Sequence, residues 1–211
     1  MNTERLIHDL ASDLRSTAGL PRGGSKLAIM TVLASMVTLG AILLLFSRSP
    51  HFEHGPSATI VFSAAAGLAL AVIAFRAVLK SGYPEEGTGL RSFLVPPAIL
   101  LSGLVLELFR VPEASWTNRL WGQDSTACFC CVVVLSLPIL AAVLIALRDS
   151  APTRPWLSGA MAGLLAGGIA AALYTLHCPE DSLLFVATWH VLAIVTVSVC
   201  GALVARRFLR W

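Results

Sequence analysis

Six stretches of this chain are long and apolar enough to cross a lipid bilayer, and they leave room for little else. A span needs about 20 consecutive, mostly apolar residues. Residues 27–46, 58–79, 92–109, 127–147, 157–176 and 183–205 approach or exceed that length, and none has a charge at its centre. Arg76 and Glu107 lie near the ends of their stretches, where a long side chain reaches the interface. The composition agrees: 13% of the 211 residues are charged and mean hydropathy is +0.80, against about 25% charged residues in a soluble domain. The sequence therefore predicts an all-α, polytopic membrane protein. Residues 27–211 form one six-transmembrane-helix bundle, and residues 1–26 form a short N-terminal segment. The first stretch is not read as a cleaved signal peptide, because it is too long and has acidic residues upstream.

Basic residues orient the bundle, since Lys and Arg are retained in cytoplasmic loops. Arg5, Arg15, Arg22, Lys26, Arg76, Lys80, Arg91, Arg148, Arg154, Arg206, Arg207 and Arg210 fall on one side, and only Arg48, Arg110 and Arg119 on the other. Both termini are expected in the cytoplasm. The connections at 47–57, 110–126 and 177–182 are expected to face out.

Two of the outward positions are rich in ligand-type residues. "ACFCC" carries Cys128, Cys130 and Cys131 at the start of the fourth span, and "LHCPEDS" carries His177, Cys178, Glu180 and Asp181 between the fifth and sixth. Cys128 and Cys131, three residues apart, share a helix face, and Cys130 points elsewhere. Three readings fit these thiols. They are small hydrophobes at helix ends, partners in a disulfide to Cys178 in an oxidising compartment, or ligands of a soft metal with His177. Glu180 and Asp181 suit the positive end of a helix beginning at Pro179. His190 follows Trp189 inside the last span, where an ionisable residue is a functional candidate and an aromatic-belt role competes. Cys200 reads as a buried small apolar residue.

Small residues recur every fourth position in the fifth span, at Gly159, Gly163, Gly167 and Ala171. That spacing lets helices approach closely, within the bundle or in a homodimer. Pro96 and Pro97, and Pro138, predict local breaks in the third and fourth spans.

The N-terminal segment has its own pattern. Leu6, Ile7, Leu10, Ala11 and Leu14 recur at helical spacing, with Thr3 able to cap the helix and Pro21, Gly23 and Gly24 ending it. Its polar face carries Glu4, Asp9 and Asp13 against Arg5 and Arg15, which gives no pull toward anionic lipid. A helix that fits a partner's groove through Leu6, Ile7, Leu10 and Leu14 matches the pattern better.

No phosphate-binding glycine loop, zinc-protease helix motif or nucleophile elbow occurs, so no enzyme activity is expected. Nor is there the chain of intramembrane acids of an ion-coupled pump. A small transporter or metal-handling protein is one rival reading. A membrane thiol oxidoreductase is another, and it lacks the thioredoxin-like unit its chemistry normally uses.

The C-terminal half resembles the NrsF-type family of membrane-bound anti-sigma factors. "APTRP", "GLLAGGIAA", "LHCPEDS" and the terminal "RRFLRW" stand in the family's order and spacing between about Cys131 and Trp211. The resemblance implies an inner-membrane protein of a Gram-negative bacterium. Its N-terminal segment would hold an extracytoplasmic-function sigma factor away from RNA polymerase, without contacting nucleic acid itself. It also maps the family's two characteristic cysteines onto Cys131 and Cys178, as sensors of oxidants or heavy metals through a disulfide or a transient metal ion, with no cofactor otherwise required. Cys128, Cys130 and His190 depart from the family pattern and receive no role from it. The additional thiols favour metal binding over a simple two-cysteine disulfide.

Overall fold

A computed structural model describes residues 22–45, 57–81, 90–122, 124–149, 152, 154–178 and 180–209. The proposed N-terminal helix, with Leu6, Ile7, Leu10 and Leu14, lies outside the described residues. The described residues contain no strand. They form α1 (Arg22–Leu45), α2 (Ala58–Lys80), a 3-10 turn (Leu90–Leu94) running into α3 (Val95–Arg110), a second 3-10 turn (Glu113–Ser115), α4 (Trp116–Trp121), α5 (Ser125–Arg148), α6 (Pro155–Thr175) and α7 (Leu183–Phe208). Six of these helices are long and apolar enough to cross a membrane: α1, α2, α3 with its leading 3-10 turn, α5, α6 and α7.

The helix ends follow local chemistry. The Ser57 hydroxyl accepts the Ile60 N–H at 3.4 Å and caps α2. Several hydroxyls inside the spans are satisfied within their own helices: Thr31 donates to the Leu27 carbonyl at 2.7 Å, Ser35 to Thr31 at 2.7 Å and Thr175 to Ala171 at 2.8 Å. Such back-bonding removes a polar group that lipid cannot satisfy. Gly23 and Gly24 lie in the first turn of α1, which begins a little ahead of the span expected from residue 27. Pro96 and Pro97 do not interrupt α3. They lie in its first turn, just after the 3-10 turn, where a missing N–H is tolerated. Pro138 does lie inside α5, a helix of 24 residues that continues through it.

α6 is the central post, packed against α7, α2 and α5. Its small residues explain this position. A Cβ added at Gly163 would stand 2.4 Å from Ser198 Cα and 2.6 Å from the Val197 carbonyl oxygen, and one at Gly159 would stand 2.3 Å from the Gly201 carbonyl oxygen. On another side, a Cβ at Gly168 would stand 3.0 Å from the Gly67 carbonyl oxygen of α2. The Ser198 hydroxyl donates across to the Ala160 carbonyl at 3.0 Å. The Gly159, Gly163 and Gly167 face is therefore filled by α7 of the same chain. Between the two expected uses of that stripe, the structure has packing within the bundle, and the face is not free for a second copy.

α1 lies along α5 on the other flank. Thr38 of α1 donates to the Leu135 carbonyl of α5 at 3.3 Å, and Lys26 pairs with Asp149 near the opposite end. The core has two parts. One centres on Ile139, Val143, Ala162, Ala166 and Val197. The other contains Ile42, Val132, Ala170, Tyr174, Phe185 and Ala193, and within it Cys128 and Cys178.

Candidate functional site

The start of α5, the α6–α7 connection and the start of α7 meet at one end of the bundle. Cys128 is in the first turn of α5, where its N–H reaches the Asp124 carbonyl at 2.9 Å. Cys178 follows the end of α6, its N–H donated to the Tyr174 carbonyl at 2.9 Å. His190 enters from α7, seven residues past Leu183, about 10 Å along a helix that rises 1.5 Å per residue. Its Nε2 lies 3.2 Å from Cys128 Sγ. The Cys128 and Cys178 sulfurs and a His190 ring nitrogen all lie within 4.8 Å of one another, and all three residues are at most 3% exposed.

Cys178 lies outside the spans and its thiol is pulled down to about 5. The Cys128 thiol donates a hydrogen bond to its sulfur, which outweighs burial, and the His190 imidazole and the Glu180 backbone N–H act in the same direction. Two buried thiols this close can be oxidised together, or can ligate a soft cation once deprotonated.

Of the expected site residues, Cys128 and Cys178 come together. Cys131 is half-buried and packs against the same core cluster, but it is not one of the three mutually close donors. His177 does not join them either. Its Nδ1 is buried without a hydrogen-bond partner, while the imidazole beside the thiols belongs to His190. Trp189 points elsewhere, donating its indole N–H to the Leu120 carbonyl at 2.9 Å and lying 5.7 Å from the Trp121 ring. Cys130 is exposed, and so is Cys200, contrary to its expected burial.

The start of α7 is held in a way the sequence did not suggest. α7 begins at Leu183, beyond Pro179, and its first turn contains no acid. Negative charge arrives instead from Glu107 of α3. Its carboxylate accepts the Leu183 N–H at 2.6 Å, the Leu184 N–H at 3.2 Å, the Ser182 hydroxyl at 2.9 Å and an Arg119 N–H at 2.9 Å. Ser182 completes the cap by accepting the Phe185 N–H at 3.5 Å. A carboxylate at a helix N-terminus satisfies orphan donors and opposes the positive dipole end. The Gly122 turn after α4, at φ 55°, packs against Phe185, where a Cβ would meet the ring at 2.6 Å. Glu107→Ala is expected to cost about 1–3 kcal/mol by leaving these donors unpaired. It would appear as earlier thermal unfolding of the solubilised chain, with Glu107→Gln recovering part of the loss. The signal for Glu107 was present in the sequence as a lone acid inside a span.

Comparisons with known proteins point to one family. A family described as "Negative regulator of sigma F" matches residues 10–211. The anti-sigma-F factor NrsF of Caulobacter vibrioides is 32% identical over 221 aligned positions, which cover all of both chains. The probable anti-sigma-F factor NrsF of Azospira oryzae is 38% identical over 141 positions, covering 64% of each chain. No solved structure matches the chain.

Proposed function

We infer, because this chain belongs to the NrsF family of negative regulators of sigma F, that it is a membrane-bound anti-sigma factor. Its partner is a sigma factor of the extracytoplasmic-function class, held by the N-terminal segment through Leu6, Ile7, Leu10 and Leu14. The lipid bilayer, here the bacterial inner membrane, is the other partner, and the chain contacts no nucleic acid and catalyses no reaction. The observation that carries the reading is the match over residues 10–211, which takes in all six apolar helices. The distribution of Lys and Arg supports cytoplasmic termini and puts the thiol end of the bundle on the periplasmic side.

The same end is the input. A heavy-metal ion or an oxidant acting on Cys128, Cys178 and the adjacent Cys131 alters how α5 sits against the α6–α7 connection. α1 packs along α5 and carries the N-terminal segment, so α5 is the route inward. Release requires the signal to favour one of two bundle arrangements with different affinity for the sigma factor.

Deleting residues 1–20 from the full chain tests the output. The sigma factor is then no longer recovered with the membrane fraction and its regulon is expressed constitutively. A transporter would keep its flux after the same deletion. Cys128→Ser, Cys131→Ser and Cys178→Ser test the input. Capture persists in each, and at least the Cys178 variant no longer releases its partner when metal or oxidant is added. A normal response in all three variants removes the sensing half of the reading.

A further inference from the structure

We propose that Cys128, Cys178 and His190 form a three-donor site, two sulfurs and one nitrogen, for a single soft divalent cation of the zinc and cadmium class. The proposal deepens the sensing reading by naming the ligand class and adding His190. It rests on that reading for its consequence in the cell, whereas cation binding itself is independent of any sigma factor.

Geometry is the first argument. Tetrahedral zinc has metal–ligand distances of about 2.0–2.3 Å, which spaces neighbouring donors by roughly 3.3–3.8 Å. The His190 Nε2 to Cys128 Sγ separation is 3.2 Å, and every pair among the three donors lies inside 4.8 Å. Small side-chain rotations therefore suffice to close the set around one ion.

Donor chemistry is the second. Thiolate and imidazole suit zinc, cadmium and copper, while magnesium and calcium need oxygen ligands. No carboxylate belongs to the group. Cys131, one turn from Cys128 and packed against the same cluster, is not among the three mutually close donors.

Placement is the third. The donors come from α5, the α6–α7 connection and α7, so an ion fastens three separately positioned parts of the bundle. All three are buried.

The test uses the reduced full chain in detergent micelles or nanodiscs, titrated with Cd2+ alone, and reads thiolate-to-metal charge-transfer absorption together with bound cadmium after desalting. One cadmium per chain is expected. Cys128→Ser and Cys178→Ser lose the band. His190→Gln weakens binding by at least about tenfold, the lower end of what even outer-shell partners of metal ligands contribute. Cys130→Ser and Cys200→Ser, at exposed sites, bind as the parent does. Cadmium NMR of the parent chain decides the donor set even if a cysteine variant fails to fold, because the shift reports how many sulfurs bind. Two sulfurs with nitrogen support the site. Three sulfurs, or loss of affinity in His177→Gln with His190→Gln unaffected, overturn the assignment of His190. Absence of cadmium from the folded parent overturns the site altogether. Capture of the sigma factor by that same protein would leave the regulator reading standing.

Discussion

Gly163→Ala is expected to unseat α7 from α6, although it adds only one methyl group. The new Cβ would stand 2.4 Å from Ser198 Cα and 2.6 Å from the Val197 carbonyl oxygen, both backbone atoms that no rotamer change can move. The helices must separate, and the Ser198 to Ala160 hydrogen bond beside the contact goes with them. Overpacking of a well-filled core costs about 1–3 kcal/mol, occasionally more, and a backbone obstacle belongs at or above the upper end. The chain should elute as a heterogeneous or aggregated species in mild detergent, with its melting temperature lowered or its transition lost. The same substitution at Gly40 of α1 supplies the control, because a Cβ there meets nothing within 4 Å. Gly40→Ala is expected to be neutral or to stabilise by up to about 1 kcal/mol through helix propensity. A glycine-to-alanine pair with opposite signs distinguishes close approach from a general intolerance of substitution.

The second large effect belongs to the N-terminal segment. Replacing Leu10 and Leu14 together with Asp should abolish retention of the sigma factor and leave the bundle unchanged. Burying a leucine side chain contributes about 1.5–3 kcal/mol. Two lost anchors therefore weaken binding by roughly 100- to 10,000-fold, before the added cost of placing carboxylates against an apolar groove. The measurement is sigma-factor recovery with membranes from cells producing the double variant, alongside a reporter of the sigma-dependent regulon. Undiminished recovery would move the contact away from this stripe. Replacing Asp9 and Asp13 with Asn, on the polar face, should leave recovery nearly intact and so ties the effect to the leucines.

The six spans were legible because each is a continuous apolar run, and length alone separates a span from a buried soluble helix. The close packing of Gly159, Gly163 and Gly167 was legible too, but not its recipient. The spacing of one helix carries no information about which neighbour meets it. The site was half legible. Cys128 and Cys131 share a face, and the choice between them depends on how α5 is rotated about its axis. Val132, Leu135 and Ile139 set that rotation by packing inward. His177 was the natural ligand because it adjoins Cys178, whereas the imidazole that reaches the thiols belongs to His190, twelve residues past Cys178, after the chain has turned back into α7. Glu107 caps a helix that begins 76 residues later. Pairings of that kind belong to tertiary packing, and no local pattern announces them.

The central place of α6 also bears on the order in which the protein is made. It is built largely of glycine and alanine and is the most enclosed of the six long helices. Alone among lipids it would have few large side chains to offer, so α6 is best accommodated in the bilayer together with α7, as a hairpin. α7 leaves the ribosome after α6, and it brings His190 and closes the connection that holds Cys178. The segment ahead of α1 emerges before the end that carries the thiols is finished. On the reading proposed here, a nascent chain can take hold of its partner before it possesses any means of letting go, and each new copy starts its life in the repressing state.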